Sequence, residues 1–404
     1  MSAKLIKRKE YLSKLGIWRD KKVIKVITGI RRCGKSSLFS LFIDLLKESG
    51  VDEKNILLIN LEDMNNQSLL TYETLHEFIT KRLDGENKTY VFLDEVQQCR
   101  NFERAVSSLY LRDDIDLYIT GSNAMLLSGD IATLLSGRYV EIKMLPLSFS
   151  EYLQFEKPGI NTREAFSDYL KYGSFPYIPE LDKDKTIING YLEGVYNTVI
   201  VKDLISREKI RDVTVLEDVV KFLCSSVGSP ISIKKISDTL NSAGRKISVN
   251  TVEQYVRALT DSFVIYKVDR YDIKGKQHLK TQNKYYIVDT GIRNMLLSAA
   301  SPDTGHVLEN IIYLELIRRD NQVNIGKIGE KEIDFVAENN NYGRCYYQVA
   351  ATVLDENTLL RELEPLQRID DHFSKILLTM DEIGNDSYHN GIKQMNIIDW
   401  LMEY

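Results

Sequence analysis

The chain has 404 residues and a mass of 46.6 kDa, which at roughly 100–200 residues per domain predicts two to four domains. Apolar residues make up 43% and charged residues 27%; this balance excludes a disordered chain, and no apolar run reaches the roughly 18 residues of a membrane span. The net charge of −5 argues weakly against nucleic acid, but residues 229–285 hold 11 lysines and arginines against 5 acidic residues. One basic segment therefore sits inside an acidic chain.

The N-terminus (MSAKLIKRKE) is charged and lacks the apolar core and cleavage site of a signal peptide. Cys33, Cys99, Cys224 and Cys345 are scattered with no C-x-x-C pair, which argues against a disulfide framework or a zinc site. These features predict a cytoplasmic, reduced protein with no membrane partner.

In chain order, residues 22–28 (KVIKVIT) read as a buried strand. Gly29, Ile30, Arg31, Arg32, Cys33, Gly34, Lys35, Ser36 and Ser37 follow at once, and residues 38–46 carry helical apolar spacing. Strand, G-x-x-x-x-G-K-[ST] and helix in succession form the P-loop context. Backbone N–H groups and the helix N-terminus cradle phosphates there. Lys35 is expected to reach the β- and γ-phosphates, and the Ser36 hydroxyl to ligate Mg²⁺, so ATP and Mg²⁺ are the predicted ligands. Arg31 and Arg32 either touch phosphate or lie on the surface. An exposed Cys33 beside the helix N-terminus would have a lowered thiol pKa, and its alkylation would block ATP.

Residues 56–60 (ILLIN) form a second predicted strand, with Glu62 and Asp63 after it. Glu62 either approaches the γ-phosphate or faces solvent. Residues 90–93 (YVFL) form a third strand that ends in Asp94 and Glu95. Two acids ending a buried strand after a P-loop make a Walker B arrangement: Asp94 would hold Mg²⁺ through water and Glu95 would polarise the attacking water. Residues 116–120 predict a fourth strand, followed by Gly121, Ser122 and Asn123 and then a helix to about residue 136. At a strand carboxyl end, Asn123 either bonds the water or γ-phosphate or caps that helix. Arg138 precedes a fifth strand at 139–143. It either faces a neighbouring subunit or pairs with a local acid.

The motifs GIRRCGKSS, INLED, FLDEVQ, ITGSN, LLSGRYVEIKMLPLSFSEYL and YGSFP together resemble the AAA+-type ATPases of bacteria and archaea that join the ATPase to a winged helix and a C-terminal endonuclease-like domain of unknown function. The resemblance covers essentially the whole chain. It implies that Asn123 is a sensor, that Arg138 is an arginine finger acting in a homo-oligomer, and that residues 173–176 belong to a helical lid with Pro176 near the base.

Residues 165–172 and 187–205 show helical spacing without a strand pattern, so 148–208 reads as that lid. Helical patterns at 215–227, 232–241 and 249–262 precede strand-like runs at 264–271 and 284–288. Three helices and a hairpin predict a winged helix over 209–295. Asn250, Thr251, Gln254 and Arg257 would face a DNA major groove, with Lys274, Lys276, His278 and Lys280 in the wing. The basic excess suits duplex DNA; the rival reading is a protein-docking module.

Beyond a linker at 302–305, a helix at 307–320 carries Glu309. Strands at 322–327, 331–338 and 346–350, a helix at 359–373 and a strand at 375–379 follow. This order resembles the PD-(D/E)XK endonuclease-like core, predicted over 302–404. That chemistry needs an Asp, then E-x-K on the next strand. Here Asp334 is followed by Gln348, Val349 and Ala350, so the electrophilic lysine is missing and cleavage is not expected.

The predicted class is α/β: a P-loop NTPase (AAA+-like) parallel sheet core over 1–147, then the lid, the winged helix and the degenerate C-terminal domain. The predicted function is Mg-ATP hydrolysis coupled to DNA. A regulatory signalling ATPase that docks a protein, and an ATP-dependent nuclease, are the alternatives.

Overall fold

The computed structural model describes residues 6–122, 135, 137–155, 159–205, 210, 212–298, 304–340 and 343–403. Two compact units divide near residue 146, at the end of the first parallel sheet.

The first unit is built on five parallel strands: β1 (Ile24–Thr28), β2 (Ile56–Asn60), β3 (Thr89–Asp94), β4 (Ile115–Gly121) and β5 (Tyr139–Lys143). Their spatial order is β2-β3-β4-β1-β5. β1, β3 and β4 are buried along their whole length, and such strands read as continuous apolar runs rather than alternating ones. The register aligns Thr28 with Gly121 and with Lys143, and Asn60 with Asp94. The carboxyl ends of the strands therefore form one rim, where open α/β sheets bind ligands.

Helices Tyr72–Thr80 and Phe102–Tyr110 cover the sheet. Phe102, Ala105, Val106 and Leu109 are buried on one stripe of the latter, the i, i+3, i+4, i+7 spacing of an amphipathic helix. The helix expected between Asn123 and residue 136 falls largely outside the described residues.

The second unit contains helices Thr162–Tyr172 and Lys185–Asn197, with no strand among the described residues of 148–208. Helices Val213–Ser225, Ile233–Ser242 and Val249–Asp261 follow, then the antiparallel hairpin of β6 (Ile265–Asp272) and β7 (Gln277–Ile287). Ser232 caps its helix by accepting from Lys235 N, as Ser does at helix starts. A single bridge joins Ile231 to Asn283.

The C-terminal strands are β8 (Gln322–Ile328), β9 (Lys331–Asn339), β10 (Gly343–Ala350), β11 (Ser374–Thr379), β12 (Tyr388–His389) and β13 (Ile392–Asn396). The hairpin does not stand apart from them. β6 pairs parallel with β8 through Arg270–Ile325, Tyr271–Gly326 and Asp272–Lys327. The result is one eight-stranded sheet, in the order β12-β13-β11-β10-β9-β8-β6-β7. Strand pairing thus runs across the 209–295 and 302–404 segments. No helix among the described residues is long and apolar enough to cross a membrane.

Candidate nucleotide site and a carboxylate–lysine cluster

Strand β1 delivers the chain to Gly29, where φ is +152° and an added Cβ would lie 2.2 Å from the Met144 carbonyl oxygen. Only glycine fits that approach. Gly34, at φ +103°, starts helix Lys35–Glu48, and no side chain caps it. Its first N–H groups are left for an anion. Lys35 is buried, and its Nζ donates to Gly29 O at 3.0 Å and Ile30 O at 3.3 Å. Ser36 and Ser37 are exposed and Ile30 is buried. Arg32 is exposed at φ +64°.

Cys33 corrects an expectation. The thiol is fully buried, not exposed. Burial pushes its pKa up, against the pull of Lys35 and Arg8. The loop is also tied down by a residue that periodicity did not single out. The buried Arg8 guanidinium donates to Cys33 O (3.1 Å), Leu145 O (2.9 Å) and Pro146 O (3.3 Å).

Asp94 and Glu95 end β3 on the same rim. Thr120 joins them: its hydroxyl donates to Asp94 Oδ1 at 2.5 Å and accepts from Glu95 N at 2.9 Å. Burial raises the Asp94 pKa, against hydrogen bonds from Ser36 and Thr120. Burial also works against the Glu95 carboxylate, but the Lys35 charge and the Gln97 amide outweigh it and hold its pKa below the usual value. Lys35 Nζ lies 3.6 Å from Glu95 Oε1. Lys35, Ser36, Asp94 and Glu95 thus converge at one place. The hard oxygens of Ser36 and Asp94 suit Mg²⁺, and the uncapped amides with Lys35 suit its phosphate partner. Glu62 pairs with Arg31 at 2.9 Å and accepts from Gln98 at 3.3 Å.

Asn123 lies outside the described residues. Arg138 lies at the amino end of β5, beside Ile24, away from the rim that carries Thr28 and Lys143. Its guanidinium stacks over Tyr110, 5.5 Å from the ring centre. It takes no part in this chain's own phosphate rim.

In the second unit, the Tyr172–Pro176 loop is held by Asp289. Its carboxylate accepts from Ser174 N at 2.6 Å and from Ser174 Oγ at 2.9 Å. Pro176 is half-buried in that loop. Asn250, Gln254 and Arg257 are exposed along helix Val249–Asp261, while the half-buried Thr251 hydroxyl is engaged with Ser248 at 2.8 Å. Lys274 and Lys276 are exposed at the hairpin tip; the side chain of Lys280 lies outside the described residues.

Asp334 and Gln348 meet through the backbone: Gln348 Oε1 accepts from Asp334 N at 3.4 Å. The surprise is Lys284 of β7, only 2% exposed. Its Nζ lies 3.1 Å from Glu309, 2.8 Å from Glu332 and 3.7 Å from Asp334. Burial opposes the ammonium charge, but the three carboxylates raise its pKa well above the usual lysine value. Among the described residues, no group of three or more His, Cys, Asp or Glu side chains is arranged to hold a metal ion.

A family model described as an AAA domain matches residues 21–153, and one described as a domain of unknown function matches residues 163–303. An uncharacterized protein of Haemophilus influenzae is 36% identical over 407 residues, covering 100% of both chains. An uncharacterized protein of Methanocaldococcus jannaschii is 30% identical over 83% of this chain and 73% of its own. Among solved structures, a Walker-type ATPase of Pyrococcus abyssi is 16% identical, with 72% of this chain and 95% of that one covered and a TM-score of 0.47. The Aeropyrum pernix ORC1 protein, solved in complex with DNA, is 11% identical, with 73% and 93% covered and a TM-score of 0.33. The chain belongs to the family of the Haemophilus and Methanocaldococcus proteins, and residues 21–153 of its N-terminal part match an AAA domain.

Proposed function

We propose that this chain binds Mg·ATP on the rim of the first sheet and hydrolyses it. The observation that carries this reading is the convergence of Lys35, Asp94 and Glu95 beside an uncapped helix N-terminus. Lys35 turns from the Gly29 and Ile30 carbonyls to the β- and γ-phosphates. Ser36 and Asp94 would hold Mg²⁺, which supplies positive charge to the phosphates. Glu95 accepts a proton from the attacking water. Its lowered pKa keeps it ionised for that task. In this reading Asn123 orients the water, Pro176 lies near the base, and Arg138 reaches the nucleotide of a neighbouring copy. Placement of Arg138 away from its own phosphate rim supports action in trans.

The work of turnover is DNA-associated in this proposal. Three helices, a bridge at Ile231–Asn283 and a hairpin with exposed Lys274 and Lys276 support a winged-helix reading with duplex DNA as the partner. Cleavage is not part of it: Ala350 offers no donor, and Lys284 is engaged by three carboxylates.

Turnover and oligomeric state, measured with and without duplex DNA, test the proposal. ATP-dependent assembly and DNA-stimulated turnover are expected. Turnover and assembly indifferent to DNA would move the hairpin to a protein-docking role. Wild-type turnover in Arg138→Ala would remove the residue from the reaction.

A further inference from the structure

Glu95 is held from two sides. Its Oε1 faces Lys35 at 3.6 Å, and its Oε2 accepts a short hydrogen bond from Gln97 Nε2. The same amide nitrogen donates to Ser122 Oγ at 3.3 Å. A tight backbone turn brings the two side chains together. Glu95 has φ +51°, a left-handed conformation, and Gln98 N closes the turn onto Glu95 O at 3.0 Å.

The other end of the Gln97 amide is informative. Gln97 Oε1 is buried and has no hydrogen-bond partner among the described residues. An acceptor left in that state is destabilising, and rotating the amide by half a turn would give that oxygen a new environment. The rotation is forbidden by chemistry: a carboxylate only accepts, so the NH₂ end must face Glu95. The bare oxygen is therefore tolerated because the NH₂ end is needed on Glu95.

Lys35 and Gln97 differ in what nucleotide does to them. Lys35 is shared with the loop carbonyls and is the group that phosphate attracts. Gln97 is neutral, so phosphate has no comparable claim on it. When Lys35 turns to phosphate, Gln97 and the Ser122 hydroxyl that Gln97 also contacts are the side chains left on the carboxylate, and Gln97 makes the shorter contact. Other charged groups around Glu95 are Arg31, from the P-loop, and its neighbour Asp94; neither orients it as Gln97 does.

We propose that Gln97 is the positioning residue of the hydrolytic step: its amide clasps Glu95 Oε2 and aims the carboxylate at the attacking water. The inference rests on the hydrolysis reading and adds the residue through which Glu95 acts.

The test uses the full chain with Gln97→Glu, which keeps the size and removes the donor, and Gln97→Ala, which avoids two facing carboxylates. Loss of an orienting partner of this kind costs about 10- to 100-fold in kcat. ATP affinity, measured with a fluorescent analogue, should stay within about twofold of wild type, because the residue acts after binding. The decisive arm repeats both substitutions in a Glu95→Gln background under single-turnover conditions. There they should cause no further loss, since residues acting as a unit are not additive. Undiminished kcat in both variants would overturn the proposal. So would the same fold loss in the Glu95→Gln background, or parallel loss of ATP affinity and kcat. A wild-type chain that binds ATP without turning it over would instead overturn the hydrolysis reading itself.

Discussion

Lys35 in the first unit and Lys284 in the second are both buried ammonium groups facing carboxylates, yet their surroundings give them opposite fates. Lys35 donates to two neutral carbonyls of its own loop and stands 3.6 Å from one acid. An arriving phosphate offers more charge than those carbonyls, so the ammonium is free to change partners. Lys284 faces Glu309, Glu332 and Asp334 together. Glu309 and Glu332 already hold it, with the buried Asp334, whose pKa burial and Glu309 push up, beside them. A buried cation becomes a ligand-binding group when its resting partners are weak, and a structural one when they are strong.

Substitutions can break that contrast. Lys284→Met is expected to have the largest effect. It leaves acids facing one another inside the sheet, and breaking a buried pair costs about 3–5 kcal/mol. Denaturant unfolding should register this loss in the second unit; an unchanged midpoint would show that the cluster is not structural. Lys35→Ala should leave folding intact and weaken ATP binding about 100-fold, the scale expected when a buried charge partner is removed. Titration with a fluorescent ATP analogue reads it, and undiminished affinity would detach Lys35 from the phosphates.

Smaller effects sharpen the same picture. Changing Lys274, Lys276 and Lys280 to Glu should weaken duplex binding and lower the salt slope by about 0.9 for each phosphate no longer neutralised. Binding indifferent to salt would contradict a phosphate-facing hairpin. The least change is expected at Cys33. Its buried thiol, with a raised pKa, should stay unmodified by iodoacetamide at about pH 7.5 in the native chain, where the thiolate is scarce. Rapid modification read by peptide mass would place it at the surface.

The parts that could be read from sequence are those whose chemistry is contiguous. The second and fifth strands, at 56–60 and 139–143, have the bounds their apolar runs implied. The P-loop follows from nine consecutive residues. What escaped is non-local or directional. No local pattern tells β6 to pair with β8, some fifty residues on, or brings Lys284 to Glu309 and Glu332. Strand β7 also begins at Gln277, ahead of the strand-like run at 284–288. The polar character of its first residues reflects an edge strand, which can face water. Helix Phe102–Tyr110 carries its apolar stripe legibly in the sequence. Which way the Cys33 thiol turns was not legible, because a loop's spacing says nothing about which side chains turn inward.

ATP binding and turnover, measured side by side in wild type and Glu95→Gln with Mg²⁺ present, test the central claim most directly. The account predicts that both bind ATP with similar affinity, and that the variant loses about 10²- to 10⁴-fold in kcat, the usual share of a general base. Equal turnover in the two proteins, or no ATP binding by the wild type, would contradict it.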